Sequence, residues 1–464
     1  MKPERSVGSE RSPESECSIR PQAKLQAIRG AALTFRGDPF LIGAAAAMHY
    51  EPDALIVMEA GLIKAFGAYA DLRNQLNPQT PITIYADALI MPGFIDLHVH
   101  YPQTQIIGAY GKQLIDWLNR YTFVAEQQFA DIDHARMVSQ FFLDECLRVG
   151  TTTAMVYGTV HAHSVEVFFE AAAERNLRMI AGKVMMDRNA PDALCDTAQS
   201  GYDDSRALIE KWHGHERLGY AITPRFAPTS SPAQLEAAGA LWRDFPDVHM
   251  QTHISENTDE VAWVKQLFPG HHGYLDVYDH YGLVNKRAVF GHGIHLTDSE
   301  WQRLHDAEAA VAHCPTSNEF LGSGLFRFDN AKHKGRPVRV GLGTDIGAGT
   351  CLSPLRTMGE AYKIGELCGH SLCAADAYFL STRGAAEALH LDDKIGSIAA
   401  GMEADLVVLD LKSTPLVEFR MKFCNSIEEV LAVQMTMADD RATRAVYVAG
   451  ALAYERQQNA ITTV

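Results

Sequence analysis

Five side chains in this sequence have the types and the placement to hold a metal ion. His98 and His100 stand one residue apart in "PGFIDLHVHYPQ", at the end of an apolar run. In an extended strand alternate residues share a face, with Cα atoms roughly 6 to 7 Å apart, so both imidazoles address one object while Val99 points away. Neutral imidazole is a common zinc ligand, and further ligands should then come from other strand ends. Alone, such a pair reads equally well as two hydrogen-bonded polar side chains near the mouth of a barrel. Other donors tip the balance: His253 in "QTHISE", His292 in "FGHGIH" and Asp345 in "GLGTD" each close a strand-like run. His295 and His313 are expected to be supporting or structural residues. No role is assigned to His134, His161, His163, His213, His215, His271 or His272.

Such donors need a frame that brings strand ends together. Strand-like runs alternate with helical patterns at 151–158, 178–187, 218–226, 248–256, 288–296, 309–318 and 338–345, and "ALIMPGFIDLHVH" makes eight. This alternation predicts a parallel α/β fold, and eight strands predict a closed (β/α)8 barrel of the TIM type, whose active site lies at the strand ends. Short alternating runs between "KLQAIRGAALTF" and "PITIYADALIMPG" find their counterpart only in "GSIAAGMEADLVVLDL" and "RAVYVAGALAYE". The two chain ends are therefore expected to build one small β-domain. The resulting division is a mobile tail at 1–21, a composite β-sandwich from 22–91 and 392–464, and the barrel over 92–391.

Composition narrows the function. A chain of 464 residues with 47% hydrophobic and 21% charged residues is an ordinary globular protein. A net charge of −16 does not suit a phosphate-binding surface, so no nucleic-acid partner is expected. Apolar stretches such as "ALIVMEAGLIKAFG" are broken well short of the roughly 20 residues of a membrane helix. Eight cysteines without a CxxC pair resemble no disulfide framework, and the polar start offers no apolar segment for export, so a cytoplasmic setting is expected. "GLGTDIGAG" departs from the dinucleotide fingerprint and sits late in the chain, so no nucleotide cofactor is implied. "HCPTSN" lacks the cysteine pair of the deaminases that act on flipped bases.

The HxH pair with downstream "THISEN", "GHGIHLTDSE" and "GLGTDIGAGT" resembles the amidohydrolase superfamily, and "WLNRYTFVAEQQF", "MDRNAPD", "TPRFAPTS" and "AHCPTSN" are similar to its guanine deaminase branch. The resemblance spans roughly 25 to 455. It implies a distorted barrel with metal ligands His98, His100, His253, His292 and Asp345. Two-metal members carry a carboxylated lysine at the end of strand four. That run here ends in Arg225, and the nearest rival, Lys183, is expected to be structural, so one zinc per subunit is implied.

Beside the ion, Asp345 is suited to take a proton from water, and Glu256, three residues beyond His253, to protonate a ring nitrogen. A strand-end cap and a solvated loop residue are the plainer alternatives for these two. Gln103 and Arg225 would face the polar edge of guanine, with Arg225 donating to its carbonyl oxygen and so excluding adenine. Trp117 and Phe226 would flank the flat ring, although Trp117 also suits core packing, as do Leu118, Tyr121 and Phe123. His100, His253, Glu256 and Asp345 would also touch the substrate. The implied reaction is hydrolytic loss of the 2-amino group to give xanthine and ammonia, by a homodimer. Other mononuclear hydrolases, acting on cytosine, oxidised purines or triazines, would share the ligands and differ around Gln103, Trp117 and Arg225. A non-catalytic scaffold is the alternative of a different kind.

Overall fold

The computed structural model describes residues 24–111 and 113–457; the tail expected at 1–21 lies outside them. Four strands come first: β1 (Gln26–Phe35), β2 (Met48–Glu59), β3 (Leu62–Ala68) and β4 (Ile82–Pro92). Nine follow: β5 (Phe94–His100), β6 (Thr151–Tyr157), β7 (Arg178–Gly182), β8 (Val184–Met185), β9 (Gly219–Pro224), β10 (His249–Ile254), β11 (Ala288–His292), β12 (Ala310–His313) and β13 (Arg339–Leu342). The last are β14 (Leu406–Asp410), β15 (Thr443–Val448) and β16 (Ala451–Glu455).

The middle group forms a barrel. Strands β5, β6, β7, β9, β10, β11, β12 and β13 pair in parallel in that order, with β8 attached only to β9. Helices such as Ile132–Arg148, Ala162–Glu174 and Pro232–Asp244 surround it, each burying an apolar face against the strands. Inside, Ile95, Leu97, Met155, Ile180, Ala221, Val289, Ala310 and Ala312 form a packed plug below the mouth. Between β13 and β5 the barrel is closed by individual hydrogen bonds. Asp345 N–H donates to His98 O at 2.8 Å and His100 N–H to Ile346 O at 2.9 Å. The buried Asp96 carboxylate accepts from the Thr344 N–H at 3.0 Å, the Thr344 hydroxyl and the His98 N–H at 3.2 Å. Asp96, beside the paired histidines, thus ties the strand that carries them to the segment that carries Asp345.

The chain ends form one mixed sheet, ordered β16-β15-β14-β4-β1-β2-β3. It curls, so that Ile63 near one edge and Tyr447 near the other share a core with Ile28, Ile56, Ile90 and Val408. Gly93 links β4 of this sheet to β5 of the barrel, and a Cβ there would lie 2.2 Å from the Thr152 hydroxyl oxygen. One apolar run in the sequence, "ALIMPGFIDLHVH", is therefore two strands in two sheets. Between β14 and β15 the chain leaves the sheet for helices Pro415–Met421 and Ile427–Met437, and the second packs on the barrel helix Pro354–Leu367.

Candidate active site

A bulge in β5 aims the histidine pair. Asp96 stands opposite Ala154 and Val99 opposite Val156, so β5 has one residue more than β6 over this stretch. Ile95 and Leu97 point into the barrel, and Val99 packs outside. His98 and His100 are left facing inward. Two glycines make room: a Cβ on Gly291 would lie 2.6 Å from the His98 ring, and one on Gly343 2.7 Å from His98 Cβ. The adjoining strand ends are strained, with left-handed backbone at Ser255 (φ 48°), His292 (φ 71°) and Asp345 (φ 50°).

Four of the five expected donors converge. His98, His100, His253 and Asp345 each offer one ligand atom, all within 4.8 Å of one another. Asp345 Oδ1 lies 3.3 Å from His98 Nε2 and 3.4 Å from His100 Nε2, and the Nε2 atoms of His100 and His253 are 3.1 Å apart. Burial holds the imidazoles of His98, His100 and His253 below their usual pKa, the neutral form a metal requires. Burial opposes the charge of Asp345, but His98 and His292 hold its carboxyl below the ordinary range. His253 Nδ1–H donates to Arg225 O at 2.7 Å, which turns Nε2 into the cluster, and His98 Nε2 is buried without a hydrogen-bond partner. These donors fit a divalent ion.

His292 stands apart from that group of four. Its Nδ1 meets Asn318 Oδ1 at 2.9 Å, and its Nε2 lies 3.4 Å from Glu256 Oε2 and 3.7 Å from Asp345 Oδ2. It falls instead into a second group with His98, Asp345 and Cys314, whose thiol burial pushes well above its usual pKa. Glu256 is no solvated loop residue: only 3% exposed, its carboxyl is raised to about 7 by burial. Ser323 Oγ–H donates to its Oε1 at 3.2 Å. Its backbone N–H and that of Asn257 both donate to Glu260, whose side chain forms a capping box with Asn257 at the start of helix Thr258–Leu267. The catalytic candidate is thus pinned from the backbone side. His295 supports it indirectly by bonding Ser323 O, and His313 is structural, stacked on Phe326.

A single pocket gathers His100, Gln103, Trp117, Arg225, Phe226, His253, Glu256, His292 and Asp345, with Leu114, Leu118, Leu321 and Ala348 completing its apolar wall. Trp117 serves both of its expected ends: its indole N–H donates to Ala109 O at 2.9 Å while the ring lines the pocket. Leu118, expected in the core, faces the pocket as well; Phe123 is buried beneath Arg225. Lys183 is structural, its Nζ 2.5 Å from Asp196 in a buried pair. One residue had no expected role. Glu126, fully buried, accepts from Arg225 Nη1 with both oxygens at 2.9 Å and from Gln103 Nε2 at 3.0 Å. It lies in "WLNRYTFVAEQQF", where nothing in the spacing points to Arg225, 99 residues away.

The family model of the amidohydrolase family matches residues 89–453. The chain belongs to the amidohydrolase family. This amidohydrolase is 50% identical over 412 residues to the guanine deaminase of Escherichia coli (strain K12), covering 89% of this chain and 93% of that one. It is 34% identical over 374 residues to that of Rattus norvegicus, covering 78% and 82%. Among solved structures, E. coli guanine deaminase superposes with a TM-score of 0.91 at 48% identity, over 93% of this chain and all of the other. A guanine deaminase from C. acetobutylicum with guanine bound in its active site superposes at 0.84 and 27% identity, with 93% and 100% covered. This amidohydrolase is therefore a metal-dependent hydrolase acting on C–N bonds.

Proposed function

We propose that this amidohydrolase removes the 2-amino group of guanine to give xanthine and ammonia, with one zinc per chain held by His98, His100, His253 and Asp345. The observation that carries the reading is one apolar-walled pocket in which His100, His253 and Asp345 of that donor cluster and Glu256 face two N–H donors, the Gln103 amide and the Arg225 guanidinium. Curated relatives named as guanine deaminases at 32 to 50% identity support the substrate. When bound, zinc supplies a Lewis acid that lowers the pKa of water toward ~7.

The chain's own groups do the rest. Asp345 accepts a proton from the attacking water, whose oxygen adds to C2 of the ring. Glu256, with its carboxyl near neutrality, protonates the adjacent ring nitrogen, and a second proton transfer to the amine lets the tetrahedral centre collapse to ammonia and xanthine. His292, held by Asn318 with its Nε2 facing both carboxylates, is placed to orient the water. Phe226 and Trp117 flank the ring, and Arg225 and Gln103 meet its carbonyl edge. Among the described residues all seven cysteines are free, which suits a reducing cytoplasm.

The test is ultraviolet detection of guanine loss with ammonia release by purified, metal-analysed protein. Cytosine, adenine, 8-oxoguanine and a triazine are run alongside. Conversion of guanine with about one metal per chain is expected. Silence on guanine with the metal in place overturns the substrate and leaves the hydrolase chemistry.

A further inference from the structure

Glu126 makes no contribution to the pocket lining, yet it holds both residues that read the polar edge of the ring. Gln103 is clamped at both ends of its amide. Its Nε2 donates to Glu126 and its Oε1 accepts from Gly347 N–H at 3.1 Å, so the amide has one orientation and presents its remaining N–H to the pocket. Arg225 gives Nη1 to both Glu126 oxygens, and its guanidinium carbon lies 5.8 Å from the centre of the Phe123 ring. Among the described residues its Nε and Nη2 donate to no protein group, so they are left for a ligand. One buried carboxylate therefore sets the direction of two neighbouring donors and neutralises the cation between them. A planar donor pair of this kind matches two adjacent acceptors such as the carbonyl oxygen and N7 of guanine, whereas a 6-amino group would set donor against donor.

We propose that Glu126 is a positioning residue for selectivity: it aims Arg225 and Gln103 as one donor pair at a ring edge with two adjacent acceptors, and so decides which substituent at the 6-position the pocket accepts. The inference rests on the guanine reading of the pocket. It assigns Glu126 no contact with the ring and no proton transfer.

The test compares two ligands as competitive inhibitors of guanine turnover by the full-length, metal-loaded chain. Hypoxanthine keeps the carbonyl and N7 but has no 2-amino group to lose; unsubstituted purine has no carbonyl. In Glu126→Gln, hypoxanthine binding weakens on the order of tenfold while purine, which meets the donor pair through N7 alone, weakens by about threefold or less, as the loss of a charge-assisted bond predicts. Equal weakening of both ligands, or of neither, overturns the proposal, because a merely structural carboxylate would not distinguish them.

If Glu126→Gln does not fold, Arg225→Met is compared with the double variant Arg225→Met, Glu126→Leu, which carries neither buried charge. A further loss of hypoxanthine binding in the double variant, with purine binding unchanged, supports the proposal, since Glu126 still aims Gln103 when Arg225 is gone. Equal hypoxanthine binding in these two overturns it, since Glu126 then does nothing for Gln103. An unsubstituted chain that binds hypoxanthine no better than purine tells against the guanine reading itself, before any Glu126 variant is compared.

Discussion

Glu256 and His292 approach within 3.4 Å of each other, yet their substitutions are expected to do different things from loss of a ligand. Glu256→Gln retains the shape and the Ser323 contact but cannot deliver a proton, so metal content stays near one per chain while kcat falls by about 10²- to 10⁴-fold. A glutamine variant with near-normal turnover removes Glu256 from the mechanism. His98→Ala takes one donor from the group of four and empties the site, whereas His292→Ala keeps the metal and loses turnover. Metal analysis of the two purified variants decides this, and equal metal loss would return His292 to the ligand set. The residue types for this chemistry were readable in HxH, "HISE" and "GLGTD". The ranking of His292 behind the other donors was not, since it depends on Asn318 and on where Nε2 points.

At the scale of elements, the site depends on a bulge and two glycines. A bulge in β5 turns His98 and His100 inward, and Gly291 and Gly343 leave the space their rings fill. Gly343→Ala would set a methyl group 2.7 Å from His98 Cβ, with backbone atoms of His98 at 3.0 and 3.1 Å that cannot swing away. Overpacking of this kind costs about 1–3 kcal/mol. The expected result is a lower unfolding midpoint together with weaker metal retention, measured by thermal melting and by metal content after dialysis against a chelator. Normal retention in the variant would show that β5 and the Asp345 segment can part without disturbing the donors. Periodicity placed the strands well: seven of the eight expected runs overlap a barrel strand of nearly the same start, and the eighth contains β5 after β4. Their far ends were overrun where "AHCPTSN" leaves β12 for the helix Pro315–Phe320.

For the whole molecule, the barrel and the terminal sheet are joined by a charged cluster. Glu403 accepts from Arg178 Nε and Arg217 Nε at 3.0 Å each, and Arg217 also reaches Asp405 and donates to Asn176 O at 2.8 Å. Burial opposes the charge of Glu403, but Arg217 and Arg178 outweigh it and depress the carboxyl below its ordinary value of 4.5. A depressed folded-state pKa contributes stability that is fully present above the unfolded value and is lost as the pH falls through the folded one. Glu403→Gln should therefore lower the melting temperature at pH 7, with the gap to the unsubstituted chain closing as the pH falls below 4.5 through the depressed folded-state value. Melting curves across that range check it. A gap independent of pH would assign the loss to packing instead.

The sequence by itself determined the class of fold, the strand ends and the candidate donors standing at them, because hydrophobic period and residue type are local properties. The union of the two chain ends was legible for the same reason, since β-type alternation occurs only there. Tertiary structure alone decided which donors meet and what stands behind them. Glu126 joins Arg225 across 99 positions, Asp96 joins Thr344 across 248, and Gly291 and Gly343 act only through the space beside His98. Such relations are distances between segments brought together by barrel closure, and no periodicity along one strand or helix records them.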